Sequence, residues 1–434
     1  MKQILWFRRD LRIEDNALLS HASGEVLPIF IFDVNILKKL KSDDKRVSFI
    51  YNSILKLKKD LQSVGLDLAI FFDEPKNVFE KLKNDFDEVL CSCDFDNYAI
   101  TRDKEIEPIV PMKRFYDSYL FHPSEHLKND GTPYKVYTPF YKSLFYLWEN
   151  RSLVEYERNS NLTLYTYDYS KIPSIEDIGF EEQTLEPLFY KDAFDILKEF
   201  IPKISNYKED RDFFYKDGTS NIATHLRFGL ISPRQIFNIV KPLANNETYI
   251  KELFWREFYN YILYHFPKSE FENFNEKNII WEENQSDFKA WCEGNTGVPV
   301  VDSAMRCFNQ TGMMHNRLRM IVASFLTKNL LLDWRKGEEY FAQNLMDYDA
   351  STNVGSWQWG ASTGADASPY FRVFNPYTQG EKFDKDALFI KKWVPELANI
   401  NPKLIHKEGA LMQTPIVDCK TSRIRAIERF KYAQ

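Results

Sequence analysis

Four polar side chains late in the chain could do chemistry on a flat heteroaromatic ligand. Arg319, Asp347, Asp349 and Asn353 supply one cation, two carboxylates and one neutral amide within 35 positions, and Asp347, Asp349 and Asn353 fall two and four residues apart. Such groups read the donor and acceptor edge of a ring system. Beside them runs SWQWGASTG, with Trp357 and Trp359 among Gly355, Ser356, Gly360, Ala361, Ser362 and Gly364. Small residues let backbone approach a ligand closely. Two readings are open from composition: a pocket for a large, flat, polar-edged ligand, or a helical core with a Gly/Ser loop and two structural tryptophans.

The elements that must position these groups are helical. A helix beginning near Asp302 ends at Thr311-Gly312, with Gly as the residue past its last turn. The next helix carries Leu318, Ile321, Val322, Phe325 and Leu326 at i, i+3, i+4, i+7 and i+8, the spacing of one buried face. Asn316, Arg317 and Arg319 stand near its start. Earlier, Tyr249–Tyr261 gives a second apolar helical pattern through Leu253, Phe254 and Phe258, extended by Ile262, with Glu252, Trp255, Arg256 and Tyr259 on or near another face. Gly218–Ala223 offers hydroxyls and backbone N–H groups at a helix start, fit for a phosphate or for an ordinary N-cap.

The N-terminal part alternates strands with helices. Gln3–Phe7, Val26–Phe32, Leu68–Phe72, Glu88–Cys91 and Tyr119–His122 read as strands; Val47–Val64, Asn77–Phe86 and Tyr98–Ile109 read as helices. That order predicts a doubly wound parallel sheet. No G-x-G-x-x-G follows the first strand, so the usual dinucleotide fingerprint is missing. Between about residues 126 and 195 periodicity fades, which predicts a long connector over the surface, with a helix at Thr138–Trp148. The expected organisation is an α/β domain over 1–125, a connector over 126–195 and an all-helical domain over 196–434.

Composition narrows the class. The 434 residues suffice for two domains, and the 16% aromatic share suits stacking surfaces as well as cores. No apolar run reaches the roughly 18–20 residues needed to span a bilayer, and MKQILWFRRDLR turns charged too early for a signal peptide; a cytoplasmic protein is expected. Five scattered cysteines without a CxxC pair argue against a disulfide framework, a zinc site or a clustered iron–sulfur site. The net charge of −6 does not advertise nucleic-acid binding. A local face of Arg211, Arg256, Arg317, Arg372, Lys382 and Lys385 could still hold phosphates. The basic tail Lys420, Arg423, Arg425, Arg429 and Lys431 reads as a solvated helix face.

WFRRDLR at Trp6–Arg12, WREF at Trp255–Phe258 and the run MHNRLRM, DWRKGE, SWQWGASTG and YFRVFNP within 302–376 together resemble the photolyase/cryptochrome family, most of all the class I cyclobutane pyrimidine dimer photolyases. The similarity extends over nearly the whole chain in the right order. It implies one noncovalent FAD, held by Tyr207, Thr219, Ser220, Asn221, Ile222, Ala223, Tyr249, Arg319, Asp347, Asp349 and Asn353. Ala223 stands where the family usually has Ser. Arg319 and Asp347 would pair beside the ring, Asp349 would accept from its edge, and Asn353 would face N5. A neutral amide there resembles photolyases, since an ionised carboxylate would disfavour an anionic ring.

The resemblance also implies UV-damaged DNA as substrate, with the lesion extruded from the stack. Glu252, Trp255, Arg256, Tyr259, Arg211, Asn316, Arg317, Met320 and Trp359 would touch it, Glu252 at a dimer carbonyl and the tryptophans as walls. Trp281, Trp334 and Trp357 match the family's electron relay. The reaction would be a light-driven carbon–carbon lyase step with no net redox change, so His315 is expected to be structural. A second, antenna chromophore (folate, deazaflavin or flavin) often sits in the N-terminal domain; where some relatives hold folate with Asn and Glu, this chain has Thr101 and Arg102. A monomer is the family expectation. The alternative is a cryptochrome-like photoreceptor, disfavoured by Asn353, Glu252, the SWQW pair and the lack of a long extension after Tyr377. A non-photochemical flavoprotein would have to explain the tryptophan relay and has no motif of its own, whereas a repair enzyme restricted to single-stranded DNA is separated less well by the sequence.

Overall fold

The computed structural model describes residues 1–433. The chain forms two compact units. The first comprises Met1–Pro133, Pro139–Pro202 and Ser220–Pro267; the second comprises Tyr134–Thr138, Lys203–Thr219 and the chain from Lys268 onwards. The division into 1–125, 126–195 and 196–434 follows element type rather than packing and is kept as a proposal.

The first unit is built on a parallel sheet of β1 (Lys2–Phe7), β2 (Glu25–Asp33), β3 (Ala69–Asp73), β4 (Glu88–Ser92) and β5 (Met112–Phe115), in the order β3-β2-β1-β4-β5. Successive residues of β1 enter opposite cores. Leu5 and Phe7 join Val26, Phe30 and Leu57 on one face, whereas Ile4 and Trp6 join Leu27, Ile29 and Phe79 on the other. Burial on both faces is why the strands read as continuous apolar runs. The helices Lys45–Ser63, Pro75–Leu82 and Asn97–Ile106 lie between strands in sequence, as a parallel sheet requires. The last two end a few residues earlier than their apolar pattern suggests.

Two expectations are corrected here. The last long strand is Met112–Phe115, and the expected strand at Tyr119–His122 is instead a bend over Tyr119–Phe121 with His122 capping the next turn. Nor does the segment 126–195 simply run over the surface. It contributes a short strand, β6 (Thr163–Leu164), paired with β2. It also buries Ile175, Ile178 and Phe180 in the core beneath the sheet. Lys58 Nζ donates to the Tyr169 carbonyl at 3.0 Å and Tyr51 Oη to that of Pro173 at 3.1 Å. Isolated apolar anchors and carbonyl bonds need no period, so this docking leaves no periodic trace. The expected helix within it runs over Tyr137–Asn150.

The second unit is helical. Helix Pro299–Thr311 ends at Gly312 with φ of 71°, the left-handed cap expected there. Helix Asn316–Ser324 continues into a π turn, Phe325–Asn329, and buries Leu318, Ile321, Val322, Phe325 and Leu326. Helices Trp334–Asn344 and Ala350–Ala361 follow. The terminal helix Cys419–Lys431 is only partly a solvated face: Cys419, Ser422, Ala426 and Phe430 are buried, and Arg425 and Arg429 donate to the carbonyls of Asn329 and Ile280.

Candidate flavin site

In the second unit the start of helix Ala350–Ala361 fixes the polar groups. Asp349 caps it, accepting from Thr352 N at 3.2 Å and from Ser351 Oγ at 2.5 Å. One turn on, Asn353 is buried, and its Nδ2 donates to Glu338 Oε1 at 2.9 Å and to the Glu338 carbonyl at 3.2 Å. The engaged end is therefore the donor. The carbonyl Oδ1 is the end that can accept a hydrogen bond from a ligand N–H. Arg319 Nη2 reaches both carboxylate oxygens of Asp347, at 3.0 and 2.9 Å, while its Nε donates to the Met314 carbonyl at 2.8 Å. The expected Arg319–Asp347 pair is thus present. A cation, carboxylates and a neutral amide on rigid helix ends fit the polar edge of a flavin ring.

Glu338 was not singled out from sequence. Burial pushes its pKa up to about 7, the hydrogen bond from Asn353 opposes this, and Glu270 and Glu339 add to the rise. Its position one turn after Trp334, in DWRKGE, was the only signal.

Around Asn316–Ser324, Arg317 pairs with Asp212 at 2.8 Å and lies 4.5 Å over the Phe383 ring. Asn316 is exposed, and Met320 and Trp359 are half-buried. His315 is the N-cap, its Nδ1 accepting from Arg317 N at 3.1 Å. Burial pushes it down to about 4, so the ring is neutral. Tyr207 is buried, with Arg211 5.7 Å over its ring, and Thr219 is half-buried.

Trp357 and Trp334 are 3% and 1% exposed in one core cluster, and half-buried Trp281 packs against that cluster. Trp334 Nε1 donates to Asn273 Oδ1 at 2.9 Å. Trp281 meets Phe430 edge-on at 5.9 Å. Trp291, unremarked in the sequence, is fully buried with its ring 6.0 Å from that of Trp357.

In the first unit, Asn221 takes a φ of 54° just before the short helix Ala223–Arg227. Ile222 is buried; Ser220 is half-buried, and Asn221 and Ala223 are exposed. Tyr249 is 3% exposed; burial pushes its phenol up to about 12, and a hydrogen bond with Ser220 opposes the rise. On the same helix, Glu247–His265, Trp255 lies 5.6 Å from Tyr259, and Glu252 and Trp255 are half-buried. Arg256 donates to the Ser118 carbonyl at 2.7 Å and stacks 4.1 Å over Tyr119. Glu257, also unremarked in sequence, is buried and accepts from Leu120 N at 3.1 Å; burial pushes it up to about 7.

The sheet order reverses at β1 and β4, and the loops after these strands flank the crevice where open α/β sheets bind ligands. Arg8 stands there, 3.7 Å over Trp6 and paired with Asp103 at 2.8 Å, with Arg102 4.8 Å from the same indole. No group of His, Cys, Asp and Glu able to hold a metal occurs among the described residues, and no helix among them is long and apolar enough to cross a membrane. All five cysteines are free thiols.

Comparison with known proteins gives the same assignment. Residues 3–150 match the family model described as DNA photolyase, and residues 249–432 match that of the FAD binding domain of DNA photolyase. A deoxyribodipyrimidine photo-lyase from Alkalihalophilus pseudofirmus is 34% identical, over 98% of this chain and 97% of its own. A class III photolyase from Agrobacterium tumefaciens superposes with a TM-score of 0.85 at 33% identity, covering 99% of this chain and 97% of that one. An archaeal photolyase from Sulfolobus tokodaii, solved with two FAD molecules, gives 0.85 and 33% over 99% and 100%. The fold and site define a flavin-binding protein with a parallel-sheet part and a helical part. The chain belongs to the DNA photolyase family and carries that family's FAD-binding domain.

Proposed function

We propose that the chain is a deoxyribodipyrimidine photo-lyase, which uses light to split cyclobutane pyrimidine dimers in UV-damaged DNA. Curated relatives of that name, about 34% identical over nearly their full length, support the reading. The observation that carries it is Asn353: a neutral amide, buried and held by its donor end, with its acceptor end left for a ring N–H. Reduced FAD, when bound, would supply light-driven one-electron chemistry with no net redox change.

The chain's own residues bind and orient. Asp349, Asn353 and the Arg319–Asp347 pair hold the ring edge. Tyr207, Thr219–Ala223 and Tyr249 contribute the remaining cofactor contacts. Glu252 and Trp255 meet the dimer; Arg211, Arg256, Tyr259, Asn316, Arg317, Met320 and Trp359 contact the DNA. Arg256 Nη1 also stays tied to the Ser118 carbonyl. Trp281, Trp334 and Trp357 carry electrons inward. An antenna chromophore would take the crevice between β1 and β4, where Trp6, Arg8 and Arg102 offer an aromatic and cationic surface. A cytoplasmic monomer completes the reading.

The test is repair of an oligonucleotide carrying one thymine dimer by reduced protein, under blue light and in the dark. Light-dependent recovery of two thymines is expected. Bound FAD without any repair in light would overturn the reading in favour of a photoreceptor.

A further inference from the structure

In the first unit, the loop 116–121 after β5 is gripped by the helix that carries Glu252, Trp255 and Tyr259. Asn260 Nδ2 donates to Tyr116 Oη at 2.9 Å. Arg256 Nη1 donates to the Ser118 carbonyl at 2.7 Å, and its guanidinium lies 4.1 Å over the Tyr119 ring. Glu257 is 5% exposed; its two oxygens accept from Leu120 N at 3.1 and 3.2 Å, and it also accepts from Phe121 N. The remaining loop residue, Asp117, is buried and accepts from Arg12 and from Arg234 of helix Pro233–Val240, each at 2.6 Å. The loop is thereby tied to the chain after β1 and to a second helix.

Successive helical residues turn by about 100°. Glu257 therefore projects about 200° away from both Trp255 and Tyr259, so the loop holds the helix from the side opposite them. Around its carboxyl stand Arg256 on the same helix, Arg234 on the next, Tyr116 and Tyr119 on the loop, and His126 and Tyr261 on a cavity of about 10 Å³ that the carboxyl borders. Burial pushes Glu257 up to about 7, while Arg256, the two backbone N–H groups and Arg234 oppose the rise. Burial holds His126 down at about 4 and Tyr116 well above the usual phenol range. His122 and His265, one ring further out, are lowered by burial too. Protonation turns one acceptor oxygen of Glu257 into an O–H donor, which cannot face an N–H group, so the grip on the loop loosens.

We propose that Glu257 is a positioning residue for repair: by holding the backbone of Leu120 and Phe121, its carboxylate fixes the rotation of helix Glu247–His265 and so the aim of Glu252, Trp255 and Tyr259 at the dimer. The proposal rests on the repair reading and deepens it. Glu257 touches neither dimer nor flavin. It acts through the helix, and the cavity beside it gives the protonated carboxyl room to turn away from the loop.

Binding in the dark of a fluorescent oligonucleotide carrying one thymine dimer, measured by anisotropy at fixed salt and at about pH 6.5 and 8, tests it. The parent should bind about two- to threefold more tightly at the higher pH, as the carboxyl ionises and completes its bonds to the loop. Glu257→Gln keeps the size but has one acceptor oxygen. It should bind about tenfold more weakly than the parent at pH 8, on the scale of one charged hydrogen bond, and show no pH step. Repair at saturating DNA should fall less than affinity, since the bound dimer re-seats the helix. A parent without the pH step would sink the proposal, and that result needs no variant to fold. So would a Glu257→Gln protein that only melts lower and keeps the parent's affinity and pH step, because the carboxylate would then be structural alone. Light-driven repair with the same step in parent and variant refutes the positioning role alone; a step confined to the parent, in a protein that repairs nothing in light, refutes the repair reading alone.

Discussion

Gly337→Ala is the smallest change that should disturb the tryptophan cluster. A Cβ built on Gly337 would sit 2.5 Å from Trp357 Cζ3 and 2.6 Å from Leu326 Cδ2, and closer still to Trp357 Cη2. Ordinary carbon contacts are about 3.5–4.0 Å, so the indole must retreat by roughly 1 Å. It has little room, because Phe341 lies 5.1 Å and Trp291 6.0 Å from its ring, and Leu326 is fully buried. Overpacking of this kind costs about 1–3 kcal/mol. The better helix propensity of Ala returns up to about 1 kcal/mol. A net loss of about 0–3 kcal/mol follows, which lowers the melting midpoint by up to about 12 °C for a unit of this size. The second readout is functional. Light-driven reduction of bound oxidised flavin by an external thiol should slow, since Trp357 moves, while repair by chemically pre-reduced protein should persist. Unchanged melting together with an unchanged reduction rate would falsify the packing argument.

Three further outcomes follow from the site. Glu338, with a folded pKa near 7 against an ordinary value of 4.5, holds a proton when folded that the unfolded chain has lost. Stability from this group therefore falls as pH rises from about 4.5 to 7. Glu338→Gln should be more stable relative to the parent at pH 7.5 than at pH 5 in urea melts; an equal difference at both pH values refutes the shift. Trp281→Phe should cut light-driven flavin reduction by an order of magnitude or more without changing repair by pre-reduced protein, and equal loss in both assays would deny Trp281 a relay role. Glu252→Ala should keep flavin content but lower repair per photon about tenfold or more, on the scale of a lost charged hydrogen bond; undiminished repair would remove Glu252 from the substrate contacts.

The sheet was legible because strands buried on both faces are apolar at every position, as in β1 and β2. The edge strand was not. Met112–Phe115 carries Lys113 and Arg114, which pair with Glu88, Asp103 and Glu107. Those charges erase its apolar signature, and the aromatic run at Tyr119–His122 imitated a strand instead. At the site, the spacing of Asp347, Asp349 and Asn353 was visible because cap chemistry is local. Glu338 and Gly337 were not, since their importance comes from Asn353 and Trp357, 15 and 20 residues further on. No window of local pattern contains such a contact.

Helix Ala350–Ala361 shows why composition alone left two readings open. Successive helical side chains project about 100° apart, and Trp357, Gln358 and Trp359 use that rotation to face three surroundings. Trp357 enters the core against Phe341 and Trp291. Gln358 is 1% exposed; its Nε2 donates to the carbonyls of Ser269 and Glu272, at 2.6 and 3.0 Å, and its Oε1 accepts from Phe274 N at 2.9 Å. Trp359 stays half-buried. A helix enclosed on so many sides has no single apolar stripe for the sequence to display. Its small residues serve packing as much as ligand approach: a Cβ on Gly360 would already meet the Ala323 methyl at 3.2 Å. The helical-core reading and the pocket reading of SWQWGASTG are therefore not rivals. The same close packing that makes Gly360 and Gln358 structural fixes the rotation of the helix, and that rotation sets where Asn353 and Trp359 point.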